Sequence, residues 1–392
     1  MKHNWEYKQL GEIGVILTGS TPSTSVKEYY DQSDYMFVKP GDIEESGITY
    51  LKASETYISE LAFNTASRKL PKHSILVTCI GTIGKVGILQ QEATCNQQIN
   101  AIIPAADNIY YKYLAYAISS IKSFLISKKN GPVVPIINKT QFSKFKIPVP
   151  PMEVQEQIVA ELDKINETIE DCRELLRNLD ALAQSLFYDY FGDPAINPKG
   201  WRIYKIKDIC SVNPTKREIR IPTSSEISFL PMEDLPINAR YFTPIKVKTL
   251  NEVQNSYTYF SGEDVLFAKV TPCFENGKAG IPVNLINNIG FGSSELFVLR
   301  PNFQIINREY IYSFIRTNHF VSEAIKKLSG TSGLRRVPRT VVENFQIPVP
   351  PLELQEKFAE RIEQIEEQKK IVENTIAELQ TLLDSRMDYW FN

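Results

Sequence analysis

Two five-residue strings, Gly84-Lys85-Val86-Gly87-Ile88 and Gly277-Lys278-Ala279-Gly280-Ile281, set a lysine between glycines. Glycine lets backbone come close to a ligand and lysine supplies a point charge, so both strings suit contact with a phosphate. The same residues also suit a tight hairpin with a solvated lysine, and composition does not separate the two readings. Basic loops precede two proline pairs: Lys128-Lys129-Asn130-Gly131, and Ser329-Gly330-Thr331-Ser332-Gly333-Leu334-Arg335-Arg336. Arginine in a glycine-rich loop is able to grip guanine edges with two parallel hydrogen bonds. Arg335 and Arg336 are therefore expected to touch DNA. Lys39, Lys139, Lys269 and Arg339 are secondary candidates, because single basic residues are usually plain solvated surface.

Chemistry beyond binding finds no support in the residue order. Asn197-Pro198 and Asn213-Pro214 are followed by Lys199 and Thr215, not by the Pro-Tyr or Pro-Phe of an amino-methyltransferase. Gly81-Thr82-Ile83-Gly84-Lys85 is too short for a nucleotide-binding P-loop. His3, His73 and His319 are scattered, and Cys79, Cys95, Cys172, Cys210 and Cys273 form no C-x-x-C pair. Reduced structural cysteines, no metal site and no catalytic residue are expected.

The elements that must position the basic residues are written twice. Ile147-Pro148-Val149-Pro150-Pro151-Met152-Glu153-Val154-Gln155-Glu156 returns as Ile347-Pro348-Val349-Pro350-Pro351-Leu352-Glu353-Leu354-Gln355-Glu356, and the register holds to Phe191 and Phe391. Each proline pair stops a strand and leads into a helix, with Glu153, Glu156, Glu353 and Glu356 near the positive end of its dipole. Apolar positions then recur at steps of three and four: Leu162, Ile165, Ile169, Cys172, Leu176, Leu179, Ala183, Leu186 and Tyr190. The second copy runs Ile362, Ile365, Val372, Ile376, Leu379 and Leu383, broken once by Lys369. Such a heptad seam needs a partner, and the other copy, packed antiparallel, is the simplest one. The alternative is an amphipathic helix packed on its own domain. About 40 residues at about 1.5 Å each would make a rod of roughly 60 Å.

Between the rods the text also aligns, loosely. Trp5 matches Trp201, Ile75-Leu76-Val77 matches Val265-Leu266-Phe267, and Tyr113-Leu114 matches Tyr310-Ile311. Short β-branched and aromatic runs predict mostly strands, with helices near 110–128 and 307–327. The expected organisation is a globular domain over 1–146, a long helix over 147–192, a linker over 193–200, a second domain over 201–346 and a second helix over 347–392. The fold class is α+β: two related mixed α/β domains joined by two long helices in an antiparallel coiled coil, pseudo-twofold symmetric.

The 392 residues suffice for two or three domains, and 43% hydrophobic with 23% charged residues is a soluble composition. No stretch approaches a membrane span and the start lacks a signal-peptide run, so a cytoplasmic protein is expected. The net charge of −2 hides an alternation: 16 Lys+Arg against 12 Asp+Glu over 1–150, 4 against 11 over 151–200, 19 against 13 over 201–346, and 5 against 10 over 347–392. Mild positive charge on both globular halves suits phosphate contact by each.

With these residues in view, the chain resembles the specificity (S) subunit of a type I restriction–modification system. The resemblance rests on both Ile-Pro-Val-Pro-Pro-x-Glu-x-Gln-Glu starts with their helices, both Gly-Lys-x-Gly-Ile turns, and Phe267-Ala268-Lys269 through Cys273-Phe274-Glu275-Asn276-Gly277-Lys278. It implies two target-recognition domains, each reading half of a bipartite site on double-stranded DNA, with the helices as a ruler. It also implies two methyltransferase (M) subunits docked on this chain, and restriction (R) subunits in the full complex. S-adenosylmethionine, ATP and Mg2+ would belong to those partners, with no cofactor here. Lys85, Lys128, Lys129 and Lys278 join the arginines and lysines above as expected DNA contacts. Two other classes stay open: a two-headed protein-binding scaffold without DNA recognition, and an enzyme with an unrecognised site.

Overall fold

The computed structural model describes residues 5–127, 136–330 and 335–391. It divides into two compact units, Met1–Arg173 with Asn374–Asn392, and Glu174–Glu373. The long helices Met152–Phe191 and Leu352–Phe391 each contribute to both units, so neither helix is a domain of its own. Among the described residues no helix is long and apolar enough to cross a membrane.

In the first unit a five-stranded mixed sheet has the order Gly14–Thr18, Ile99–Pro104, Ile75–Thr78, Val86–Leu89, Ile48–Leu51. A three-stranded sheet orders Tyr57–Ile58, Tyr35–Val38, Ala93–Cys95. The second unit repeats the plan. Its five-stranded sheet runs Cys210–Val212, Leu296–Pro301, Val265–Ala268, Ala279–Pro282, Tyr241–Phe242, and a smaller one runs Lys246–Thr249, Glu226–Leu230, Gly290–Gly292, Thr258–Phe260. Parallel pairing falls at the same places: Ile48–Leu51 on Val86–Leu89, and Tyr241–Phe242 on Ala279–Pro282. The helices expected near 110–128 and 307–327 are each two: Tyr111–Ser120 with Lys122–Ser127, and Arg308–Ile315 with Asn318–Ile325. In the second case Thr317 makes the break, its hydroxyl accepting from the Phe320 N–H as a fresh N-cap.

The duplicated proline motif is a strand before it is a helix. Lys146–Val149 pairs antiparallel with Glu6–Gln9, and Gln346–Val349 with Arg202–Lys205. Ile147, Pro148 and Val149 are all buried, as are Ile347, Pro348 and Val349. The Tyr113 hydroxyl donates to the Pro148 carbonyl, and the Tyr310 hydroxyl to that of Pro348. The helix then starts on the Pro151 carbonyl, which accepts from the Val154 and Gln155 N–H groups. The expected helix boundary at 147 thus moves to Met152, because the ladder to residues 6–9 holds the preceding segment extended.

Gln155 and Gln355 explain why the motif keeps a glutamine. Both are wholly buried. The Gln155 Oε1 accepts from the Tyr110 N–H at 2.9 Å, while its Nε2 donates to the carbonyls of Asn108 (2.8 Å) and Pro150 (2.9 Å). Gln355 does the same for the Asn307 N–H (2.8 Å) and the Ile305 and Pro350 carbonyls (3.1 and 2.8 Å). Tyr110 and Asn307 are the N-caps of Tyr111–Ser120 and Arg308–Ile315. A long helix in each unit therefore satisfies the orphan donor of a second helix, as a capping-box side chain would do from within.

Within each unit the long-helix segments pack against one another as well as on their sheets. In the first unit Leu162, Ile165, Ile169 and Leu383 are buried in one cluster, with Ile376 and Leu379 packed against it, and Cys172 is half-buried. Glu161 meets Arg386 and Trp390 across the two segments. In the second unit Leu179, Ile362 and Ile365 share a cluster with Leu186 at its edge; Val372 is buried and Leu176 half-buried. Lys369 does not loosen this seam. Its Nζ lies 2.8 Å from Asp180 and 3.3 Å from Glu366, at 7% exposure. Burial pulls its pKa down, but the Asp180 and Glu366 contacts outweigh that and leave it raised. A paired buried lysine fixes register where an apolar residue would not.

Candidate nucleic-acid interface

Both Gly-Lys-x-Gly-Ile strings are structural turns. Gly84 and Gly277 have φ of 85° and 72°, a region that favours glycine. A Cβ on Gly87 or Gly280 would meet Leu51 at 2.8 Å or Phe242 at 2.6 Å, in the neighbouring parallel strand. The lysines point back into the protein. Lys85 Nζ donates to the carbonyls of Pro40 (3.1 Å) and Ile43 (2.8 Å), and Lys278 Nζ to those of Met232 (2.8 Å) and Glu233 (3.1 Å). Each brace closes around a matched 3-10 turn, Pro40–Asp42 or Met232–Asp234. Two of the three ammonium donors of Lys85 and of Lys278 go to backbone carbonyls, which gives both lysines a bracing role and fits the tight-hairpin reading of these strings.

The candidates at the end of the second unit's globular part come together. Val270 bridges Arg336, the Val337 N–H donates to the Lys269 carbonyl, and the Thr271 N–H to that of Arg335. Lys269, Arg335 and Arg336 therefore sit side by side. Arg336 forks onto Glu295 at 2.8 and 3.0 Å, Arg335 lies 3.6 Å from Glu275, and Arg339 pairs with Glu343 at 2.6 Å while donating to the Val212 carbonyl. The Arg336 fork holds the Glu295 carboxyl below its usual range, with Lys269 adding to the effect. Side chains of the three arginines are 45–56% exposed, and exposed pairs of this kind are weak enough to be exchanged for a phosphate.

In the first unit the same frame carries other residues. Ile80 bridges Ile136, and the Ile137 N–H donates to the Cys79 carbonyl. Cys79 thus stands where Lys269 does, Ile136 where Arg336 does, and exposed Lys139 where Arg339 does. Lys128 and Lys129 lie outside the described residues. Lys39 is half-buried, donates to the Thr56 hydroxyl at 2.8 Å and lies 5.6 Å over the Phe37 ring, well away from a free surface lysine.

Polar groups that the residue order did not single out serve each unit's own integrity. Asp163 is the hub of the first: Lys112, Tyr116 and Tyr50 all meet it, Tyr116 at 2.7 Å. In the second, Arg240 contacts Glu309 and Ser313 at 3.2 Å beside a cavity of about 220 Å³ that Asp180, Glu366 and Lys369 also line. Charges of both signs face that cavity, so it concentrates neither. Burial pushes the Cys79, Cys95 and Cys210 thiols up to about 12, which keeps them protonated and inert. No cluster of His, Cys, Asp or Glu among the described residues could hold a metal ion.

Two α+β units of one plan, each built on segments of both long helices, define the fold class of type I specificity subunits. A chain from a structure of a type I restriction–modification system, reported for complex assembly and conformational transition, matches 98% of this chain and 96% of its own length with a TM-score of 0.58 and 18% identity. The S subunit of the M. genitalium type I system matches 100% and 97% at 0.52 and 13% identity. The model of the type I restriction modification DNA specificity domain matches residues 2–179 and 198–381, and the chain belongs to that family. Its relatives include the EcoAI specificity subunit of Escherichia coli, 38% identical over 168 residues, 43% of this chain and 28% of that subunit. The MjaIX specificity subunit of Methanocaldococcus jannaschii is 26% identical over 403 residues, 95% of this chain and 88% of that subunit. The chain spans only 28% and 26% of the EcoAI and EcoEI subunits it matches.

Proposed function

We propose that this chain is the DNA-reading subunit of a type I restriction–modification complex, and that it performs no chemistry itself. Each unit reads one half of a bipartite site, the long helices set the interval, and methyltransferase subunits dock on the chain. Restriction subunits complete the assembly. S-adenosylmethionine, ATP and Mg2+ are assigned to those partners, and the cytoplasm, where DNA and ATP meet, is the proposed place of action.

One observation carries this reading. The two units keep the same frame, braces and caps, yet differ where the frame ends: Lys269, Arg336 and Arg339 in one, Cys79, Ile136 and Lys139 in the other. A common scaffold with unlike side chains at matched positions suits two readers of unlike sequences. Gel retardation of genomic fragments tests it. The chain alone should bind weakly and lose binding steeply with salt, and added methyltransferase subunits should make binding sequence-specific. A chain that retards no fragment in either condition would instead be a protein scaffold.

A further inference from the structure

A second group of cations in the second unit gathers on its small sheet, in elements other than those that carry Arg335, Arg336 and Arg339. Register places Phe229 opposite Phe291 and Phe291 opposite Tyr259, an aromatic row across three strands. The segment 215–221 covers this face, packing Ile219 and Ile221 on the same cluster. Lysines stand on the aromatics: Lys248 Nζ is 4.4 Å from the Phe229 ring centre and 5.5 Å from that of Tyr257, and Lys216 Nζ is 5.5 Å from that of Phe291. Lys216 also donates to the Gln254 carbonyl, which fixes its position. Arg217 and Arg220 project from the same segment, both exposed, with Arg220 folded onto the Arg217 carbonyl.

The charge balance sets this patch apart. Each arginine of the 335–339 stretch faces a glutamate, and Lys246, on the strand beside Glu226–Leu230, is held by Glu233 and Asp234 at 3.5 and 3.0 Å. Among the described side chains no carboxylate forms a salt bridge with Lys216, Arg217, Arg220 or Lys248, although Lys248 is near enough to Glu252 to help hold that carboxyl below its usual range. Three cations on the covering segment and one on the sheet beneath it, two of them seated on rings of the same aromatic row, outnumber Glu218 of that segment and gain from an anion that spans them. A linear polyanion, which carries charges at intervals, fits four separate cationic side chains better than a single small ion. The rings raise the cost of moving the lysines and so pre-order the site.

We propose that Lys216, Arg217, Arg220 and Lys248 form a phosphate-backbone clamp for the DNA half-site of the second unit. The clamp rests on the DNA-reading function proposed above. It positions the duplex and does not read bases, since exposed cations on a covering segment hold phosphates regardless of sequence.

The test uses the full chain assembled with its methyltransferase subunits and measures DNA affinity against salt. In the triple variant Lys216→Gln, Arg217→Gln, Arg220→Gln, the log–log salt slope should become shallower by about 2 to 3, so that wild type loses about 40-fold more affinity than the variant between about 50 and about 200 mM salt. The preferred sequence should stay the same. Lys246→Gln, which removes a cation already neutralised, should leave the slope at the wild-type value. A triple variant with the wild-type slope, or an equal loss from Lys246→Gln, overturns the clamp while the DNA-reading function stands. A wild-type assembly with no preference for any DNA overturns the DNA-reading function and the clamp with it.

Discussion

Replacing Gln355 with leucine should destabilise the second unit by about 2–6 kcal/mol, and Gln155→Leu should do the same to the first. The magnitude comes from three contacts per glutamine. Leucine fills the space but accepts nothing, so the Asn307 or Tyr110 N–H is left buried and unpaired, which costs about 1–3 kcal/mol. Two carbonyl contacts vanish as well, at about 0.5–1.5 kcal/mol each. The orphaned donor sits at a helix start, so the loss should also be local. Urea unfolding followed by circular dichroism gives the total, and native-state hydrogen exchange gives the place: amides of Tyr111–Ser120 for Gln155, of Arg308–Ile315 for Gln355. Glutamate at either site should be worse than leucine, because a buried carboxylate would face two carbonyls. Glu353→Gln, two residues away and exposed, should cost under about 0.5 kcal/mol. A cost below about 1 kcal/mol for both leucine variants would refute the trans-capping role.

The braces make a second prediction: Lys85→Met and Lys278→Met should each lower stability by about 1–3 kcal/mol while leaving the salt slope of DNA binding unchanged, a combination no phosphate contact would give. A third concerns acid. The Arg386 hydrogen bond, with help from Trp390, holds the Glu161 carboxyl below its ordinary 4.5. A depressed carboxyl stabilises the folded state fully above its unfolded value and loses that contribution as pH falls through the folded one. Thermal melts should therefore show wild type losing more stability than Glu161→Gln between about pH 5 and about pH 3, and parallel curves would contradict the pairing.

The repeat was legible because its residues have jobs that few others can do. Proline ends the strand, glutamine closes the cap, and the 3-4 spacing sets which faces of the long helices are buried. The turn glycines were legible too, but the reason for the lysine between them was not. Lys85 and Lys278 point at carbonyls about 40 residues earlier in the chain, and nothing in a five-residue window shows an acceptor that distant. Lys369 read as a flaw because period alone counts it as polar; Asp180, on the other long helix, makes it a partner. Nothing in the residue order sets Lys216, Arg217 and Arg220 apart from other charged stretches, since Glu218 stands among them. Only the sheet register brings Lys248 to the same face as Lys216.

Selection from random double-stranded DNA by the chain assembled with its methyltransferase subunits tests the proposed role most directly. Enrichment of two short conserved blocks with a fixed, sequence-free interval between them is the expected result. Enrichment of a single continuous block, or of none, would contradict a pair of unlike readers on one duplicated frame.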